Sequence, residues 1–190
     1  MDIRFINPFI AAVKKVFKTM VATDVSIGKP TINMPDQVPT ADVSSVIGLS
    51  GDVAGCVVLS LPMSTAEQAA GKFAGIQMTS QHPDFSDALG ELANMVAGQA
   101  KAQFEGLNVS ISLPSVIVGR EHVVSQSRHR PRLSIPCQSQ LGDFWVEVAM
   151  VVRKGAADEA AATAGAASQP GNVRPRDQDS LAGSGATTAR

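Results

Sequence analysis

An acid and a carboxamide, Glu91 and Asn94, lie three residues apart in the middle of a stretch that has the pattern of an amphipathic helix. Wound at about 3.6 residues per turn, this stretch gathers its polar residues on one side. A carboxylate accepts hydrogen bonds, and a carboxamide both donates and accepts them. The sequence therefore predicts a polar stripe on which these two groups project side by side. In chain order, the polar stripe carries Asp87, Glu91, Asn94, Gly98 and Lys101.

Two glycines make this helix unusual. Gly98 lies on the polar stripe a turn beyond Asn94, and Gly90 lies on its flank. A glycine at an exposed position inside a helix costs about 1 kcal/mol relative to alanine, and asparagine competes for backbone hydrogen bonds there. A helix that departs from propensity at one exposed patch is a candidate functional surface. We interpret the patch as one that another molecule approaches closely; the alternative is an ordinary solvated helix face.

The helix that presents the polar stripe is predicted over residues 84–101. Pro83 and Asp84 precede it and mark its start, and Gly106 marks its end. Its other face has the spacing of a buried surface. The apolar residues on that face are Phe85, Leu89, Leu92, Ala93, Val96, Ala100 and Phe104.

Other elements must hold this helix in place. A first helix is predicted after Asn7-Pro8, a hairpin around Ser50-Gly51-Asp52, and a short helix over Thr65–Phe73. The last strand alternates most clearly, with Trp145 and Glu147 pointing away from the core. The predicted strands cover residues 25–32, 43–49, 55–61, 109–112, 115–118, 133–138 and 144–152.

Composition excludes several classes of function. The chain has 16 basic and 17 acidic residues, which argues against a nucleic-acid binder with a basic surface. It has neither an apolar leader nor a membrane-length apolar run, so we expect a cytoplasmic protein without a membrane contact. Cys56 and Cys137 lie in apolar runs and are expected to be small core residues.

The composition changes abruptly at Gly155. From there Ala, Gly, Ser and Pro are common and large apolar residues nearly vanish. Such a segment cannot bury enough surface to offset its ordering entropy. We therefore predict one domain over residues 1–154 and a disordered tail over residues 155–190.

Other chemistry has little support. His82, His122 and His129 fall in predicted loops without an evident Ser or Cys partner, so no nucleophilic site is expected. Asp87 and Glu91 could share a cation, but no histidine follows at Glu-x-x-His spacing, and no metal site is expected. The basic run at residues 128–132 could bind phosphate or a partner, although a solvated hairpin loop is the simpler interpretation.

The pattern Asp87-x-x-x-Glu91-x-x-Asn94, inside DALGELANMVAGQAK, resembles the active-site helix of the CheX and CheC chemotaxis phosphatases. The likeness continues in IGLSGDVAGCVVLSLP before this helix and in ISLPSVIVG, which contains Pro114, after it. It spans roughly residues 5–152. The first helix carries no second Glu-x-x-Asn motif, which is closer to CheX than to the two-site CheC pattern.

The resemblance implies a CheC-like α/β (α+β) fold, in which a mostly antiparallel sheet of about six strands has two long helices packed on one face. It also implies a homodimer and a phosphatase that acts on a phosphorylated CheY-like response regulator. Glu91 and Asn94 would be the catalytic residues, with Asn94 orienting the attacking water and Glu91 pairing with the regulator's active-site lysine. Asp87, Gly98 and Lys101 would contact the partner.

No cofactor is expected on this chain, because the resemblance assigns the Mg²⁺ to the response regulator. The alternative is a non-catalytic module of the same fold, one that binds a response regulator or belongs to a flagellar switch like the middle domain of FliM. The discriminating feature is the pair formed by Glu91 and Asn94, which a pure scaffold does not need.

Overall fold

The computed structural model describes residues 5–33, 40–124 and 132–153. The predicted tail and residues 125–131 of the basic segment lie outside these ranges, so the boundary at 154/155 stays a prediction. The helices are α1 (Asn7–Met20), α2 (Met63–Ala74) and α3 (Phe85–Lys101). The strands are β1 (Val25–Ile27), β2 (Thr31–Asn33), β3 (Ala41–Gly51), β4 (Val53–Leu61), β5 (Val109–Ile111), β6 (Ser115–His122), β7 (Arg132–Ser139) and β8 (Gly142–Val152).

The described strands form one antiparallel sheet. Its order is β1-β7-β8-β4-β3-β5, and β2 pairs with β7 while β6 pairs with β3. The predicted fold class is confirmed, but the sheet has eight strands rather than about six. The single strand predicted near residues 25–32 is two short strands, β1 and β2, separated by Gly28, Lys29 and Pro30. Three-residue strands carry too little alternation for a sequence pattern to reveal them.

The apolar faces of all three helices share one core with the inner face of the sheet. Phe144, on the alternating strand β8, stacks on Phe17 of α1 at 4.5 Å between ring centroids. The contacts from Phe9 to Phe104 and from Lys15 to Gln99 show that α1 and α3 run in opposite directions. Within the described residues, no helix is long and apolar enough to cross a membrane.

The other face of the sheet carries a buried polar network that the sequence did not predict. Glu147 of β8 is 1% exposed and accepts hydrogen bonds from Arg132 Nη1 at 3.2 Å and from Ser60 Oγ at 3.1 Å. Arg132 is buried too and donates to the carbonyl of Val124. Burial raises the pKa of Glu147, and the Arg132 guanidinium opposes that rise. Placing Arg132 in a solvated loop was therefore wrong, because the guanidinium closes this network.

Asp42 holds the start of α2. Pro62 occupies the N-cap position and supplies no side-chain cap. The backbone amide of Met63 instead donates to Asp42 Oδ2 at 2.9 Å, and the amide of Glu121 donates to Asp42 Oδ1 at 3.1 Å. Because both bonds favour the ionised carboxyl, with the Met63 bond the stronger cause, the pKa of Asp42 is lowered. One carboxylate thus joins β3, α2 and β6.

We expect Asp42→Ala to lower the free energy of unfolding by about 1 kcal/mol at neutral pH, as for the loss of a helix cap. A carboxyl whose pKa is depressed in the folded state stabilises the fold above its unfolded pKa, and that stabilisation is lost as the pH falls through its folded pKa. Urea denaturation should therefore show a gap between variant and wild type that shrinks in acid. An equal gap at neutral and acidic pH would contradict this role of the carboxylate.

Candidate functional site

The polar stripe lies along the outer side of α3, as its periodicity predicts. Asp87, Glu91 and Lys101 are exposed, and Asn94 and Gly98 are half-buried. The apolar side of the helix is buried against the sheet and α1. Ser45 of β3 donates a hydrogen bond to the backbone carbonyl of Leu89 at 3.2 Å, which ties the first half of α3 to the sheet. The direction of the stripe is therefore fixed by packing.

Glu91 and Asn94 contact each other. Asn94 Nδ2 donates a hydrogen bond to Glu91 Oε2 at 3.3 Å. This bond uses the donor side of the carboxamide and leaves its carbonyl oxygen as an acceptor that a second molecule can approach. A hydrogen bond at the surface contributes only about 1 kcal/mol, so a partner can replace it. The two groups form one unit that presents a carboxylate and an amide to the outside.

The two glycines of α3 have different roles. A β-carbon at Gly90 would lie 3.2 Å from Pro114 Cγ and 3.3 Å from Val116 Cγ2. The lack of a side chain at Gly90 therefore lets α3 pack closely on β6 and on Pro114, which directly precedes β6. Our interpretation of Gly90 as part of a bare outer patch was therefore wrong. A β-carbon at Gly98 would meet only Ile111 Cδ1, at 4.0 Å. Of these two glycines, Gly98 is the one with open space at its surface.

A notch of about 440 Å³ opens beside the first half of the polar stripe. It lies between the end of α2 and the start of α3, and we call it the α2–α3 notch. Its position on the same side as Glu91 was not predicted, because its walls come from separate elements. It is lined by Phe73, Ala74, Ile76, Met78, Asp84, Asp87, Ala88 and Glu91.

The structure also corrects the sequence interpretation of His122. This residue ends β6, and its Nε2 lies 2.8 Å from Ser44 Oγ. The prediction that no histidine has a serine partner was therefore wrong. Ser44 is 1% exposed on the sheet face away from α3, so a substrate cannot reach its hydroxyl.

Burial raises the pKa of the Cys137 thiol to about 12, which makes this thiol a poor nucleophile.

Among the described residues, no group of three or more His, Cys, Asp or Glu side chains could hold a metal ion. The carboxylates of Asp87 and Glu91 lie a turn apart on the exposed side of α3. The candidate site is built around Glu91 and Asn94, which contact each other on the outer side of α3.

The glycine pair gives a direct test of this packing. We expect Gly98→Ala to raise the free energy of unfolding by about 0.5–1 kcal/mol, because the position is open and alanine is the better helix former. Gly90→Ala should give none of that gain, because the new methyl group presses on Pro114 and Val116. Thermal and urea unfolding of both variants measure the difference. Equal gains at the two positions would contradict the close packing at Gly90.

Comparisons with known proteins point to one family. The family model for chemotaxis phosphatase CheX matches residues 43–138. The CheY-P phosphatase CheX of Thermotoga maritima is 30% identical over 124 residues, which cover 64% of this chain and 79% of that protein.

Solved structures give the same result. The chemotaxis protein CheX of Desulfovibrio desulfuricans is 29% identical with a TM-score of 0.71, covering 78% of this chain and 99% of that one. The CheX chain in a CheX–CheY–BeF₃–Mg²⁺ complex from Borrelia burgdorferi has a TM-score of 0.66 and covers 77% of this chain and 97% of its own. At 22% identity, this last likeness shows the fold alone.

Proposed function

Because the chain belongs to the CheX family of chemotaxis phosphatases, we propose that it dephosphorylates a CheY-like response regulator by inserting Glu91 and Asn94 into the regulator's active site. The observation that carries the proposal is the contact between these two side chains on the open side of α3. The relative from Thermotoga maritima that is 30% identical to this chain is named CheY-P phosphatase CheX.

The proposed role of Asn94 is to hold the attacking water. Hydrolysis of an aspartyl phosphate depends on positioning and on charge stabilisation more than on covalent help from the protein. The carboxamide carries a donor and an acceptor on a short side chain, so it can place a water in line with the phosphorus. Asn94 is half-buried on a packed helix, which limits its motion and supports this role.

The proposed role of Glu91 is to bind the regulator. Its carboxylate would exchange the 3.3 Å hydrogen bond to Asn94 for an ion pair with the regulator's active-site lysine. That exchange would free the amide group of Asn94 at the moment when a water must be oriented. Gly98 and Lys101 continue the same stripe, and the open surface at Gly98 would let the regulator's loops come close.

The proposal extends to the metal, the domain boundary and the oligomeric state. The Mg²⁺ that phosphoryl transfer requires is assigned to the regulator. We also propose that the phosphatase domain comprises residues 1–154, that residues 155–190 add nothing to turnover, and that the protein acts as a homodimer. The related CheX of Borrelia burgdorferi was solved in complex with CheY, BeF₃ and Mg²⁺.

Substitution should separate the roles of the two residues. Asn94→Ala should reduce single-turnover dephosphorylation by about 10²–10³-fold, because it removes a group that acts mainly in the transition state. Its affinity for a regulator loaded with BeF₃⁻ should stay near that of wild type. Glu91→Ala should weaken both turnover and affinity, because Glu91 also contacts the regulator in the ground-state complex.

One substitution serves as a control, and a second serves as a comparison with Glu91→Ala. Gln103→Ala removes an exposed carboxamide beyond the end of α3 and should leave turnover unchanged. Asp87→Ala removes an acid a turn before Glu91 and should affect turnover much less than Glu91→Ala. Dephosphorylation by Asn94→Ala at the wild-type rate would overturn the catalytic role of Asn94. A wild-type chain that binds the loaded regulator without dephosphorylating it would instead favour a non-catalytic regulator-binding module of the same fold.

Magnesium provides a second test. We expect activity to require Mg²⁺ while isothermal titration of the isolated protein with MgCl₂ shows no tight binding. Removing the metal with a chelator should stop turnover without changing the unfolding temperature of the phosphatase. Tight binding of Mg²⁺ to the isolated chain would contradict the assignment of the metal to the regulator.

A further inference from the structure

The α2–α3 notch combines an apolar lining with three carboxylates. Five of its residues are apolar, and the acids are Asp84, Asp87 and Glu91. No lysine, arginine or histidine lies among the residues that line it. Lys72, on the neighbouring part of α2, donates its hydrogen bond elsewhere, to Thr23 Oγ1 at 3.3 Å. The notch thus offers negative charge above an apolar surface without a lining cation to neutralise it.

The wall of the notch on the α2 side is fixed by a tight turn. Gly75 ends α2 with a φ of 72°, and the amide of Ile76 donates back to the carbonyl of Gly71 at 3.1 Å. A β-carbon at Gly71 would lie 2.8 Å from the Ile76 carbonyl oxygen, so the returning chain requires glycine there. This turn leaves the Ile76 side chain 48% exposed at the notch instead of buried in the core.

The side chain of Asp84 does not cap α3. It occupies the N-cap position of α3, where an aspartate ordinarily accepts a hydrogen bond from the first turn. Its side chain makes no such bond, and its Oδ2 lies 3.9 Å from Nδ1 of His82. The carboxylate instead borders the notch.

The chemistry of the notch selects its occupant. A purely apolar side chain would strip water from three carboxylates without replacing it, which is costly. A lysine or arginine buries an aliphatic stem while keeping its cation at the surface, and so satisfies both parts of the lining. Glu91 lines the notch and also belongs to the proposed catalytic pair, so a molecule that docks on Glu91 would also cover the notch.

We propose that the α2–α3 notch receives a lysine or arginine side chain from the surface of the response regulator, in addition to the active-site lysine proposed to pair with Glu91. The inference rests on the proposed function. The stem of this residue would lie along Ile76 and Phe73, and its cation would face Asp84 and Asp87. This second contact, about 10 Å along the helix from Asn94 at the level of Asp87, sets the angle at which the regulator meets the catalytic pair.

The test compares pairs of variants that remove equal charge, using the CheY-like regulator that the wild-type full-length chain dephosphorylates fastest. Asp84→Asn/Asp87→Asn should raise KM about five- to tenfold at low salt, with a smaller change in kcat. The matched control, Glu105→Gln/Asp143→Asn, removes two exposed acids outside the notch. The KM of the control should stay within about twofold of wild type, and its salt dependence should match that of wild type.

A second pair tests the apolar part of the notch. Ile76→Ser should raise KM, whereas Ile32→Ser, at a more exposed isoleucine on β2, should not. Both positions are exposed, so neither change removes a fully buried side chain. If the wild-type protein is active and the notch variants have the same KM as their controls, the notch inference is overturned and the proposed function stands. A wild-type protein inactive on every phosphorylated regulator would instead overturn the proposed function and this inference with it.

Discussion

The close packing of α3 on the sheet is the constraint on which the site depends. Gly90 lets Pro114 and Val116 approach the helix, and Ser45 binds the carbonyl of Leu89 from β3. Burying each large apolar side chain of this face contributes about 1.5–3 kcal/mol, so rotating the helix would be very unfavourable. Because the inner face is fixed, Glu91 and Asn94 must point outward. The position of the proposed catalytic pair is thus a consequence of core packing.

This arrangement suits a protein that completes the active site of another protein. The chain holds its polar pair on a rigid helix, where pre-organisation reduces the entropy lost on binding. The rest of the chemistry, the phosphoryl group and its metal, comes with the regulator in our proposal. The surface beside the pair then decides which regulator fits. In the part of the chain that the structure describes, the α2–α3 notch and the open surface at Gly98 lie beside the pair and have a shape that a regulator could fit.

The sequence predicted the features that depend on local periodicity. The extent of α3, its polar stripe, the β3–β4 hairpin and the alternation of β8 all follow from residues close together in the chain. The sequence did not predict the features that form where distant segments of the chain meet. Glycine is needed at position 90 because Pro114 packs closely against it. The burial of Glu147 depends on Arg132 from another strand. The notch needed the turn at Gly75 to bring Ile76 beside α3, and no pattern within either helix contains that information.

In our proposal, Asn94 orients the water that attacks the regulator's phosphoryl group. A high-resolution crystal structure of this chain bound to its regulator, loaded with BeF₃⁻ and Mg²⁺, tests it most directly. We expect the carboxamide of Asn94 to lie about 3 Å from the position that the attacking water occupies, in line with the aspartyl oxygen and on the opposite side of the phosphoryl mimic. We also expect Glu91 beside the regulator's lysine. A complex in which α3 leaves the phosphoryl mimic open to solvent, with Asn94 outside the interface, would contradict the proposal.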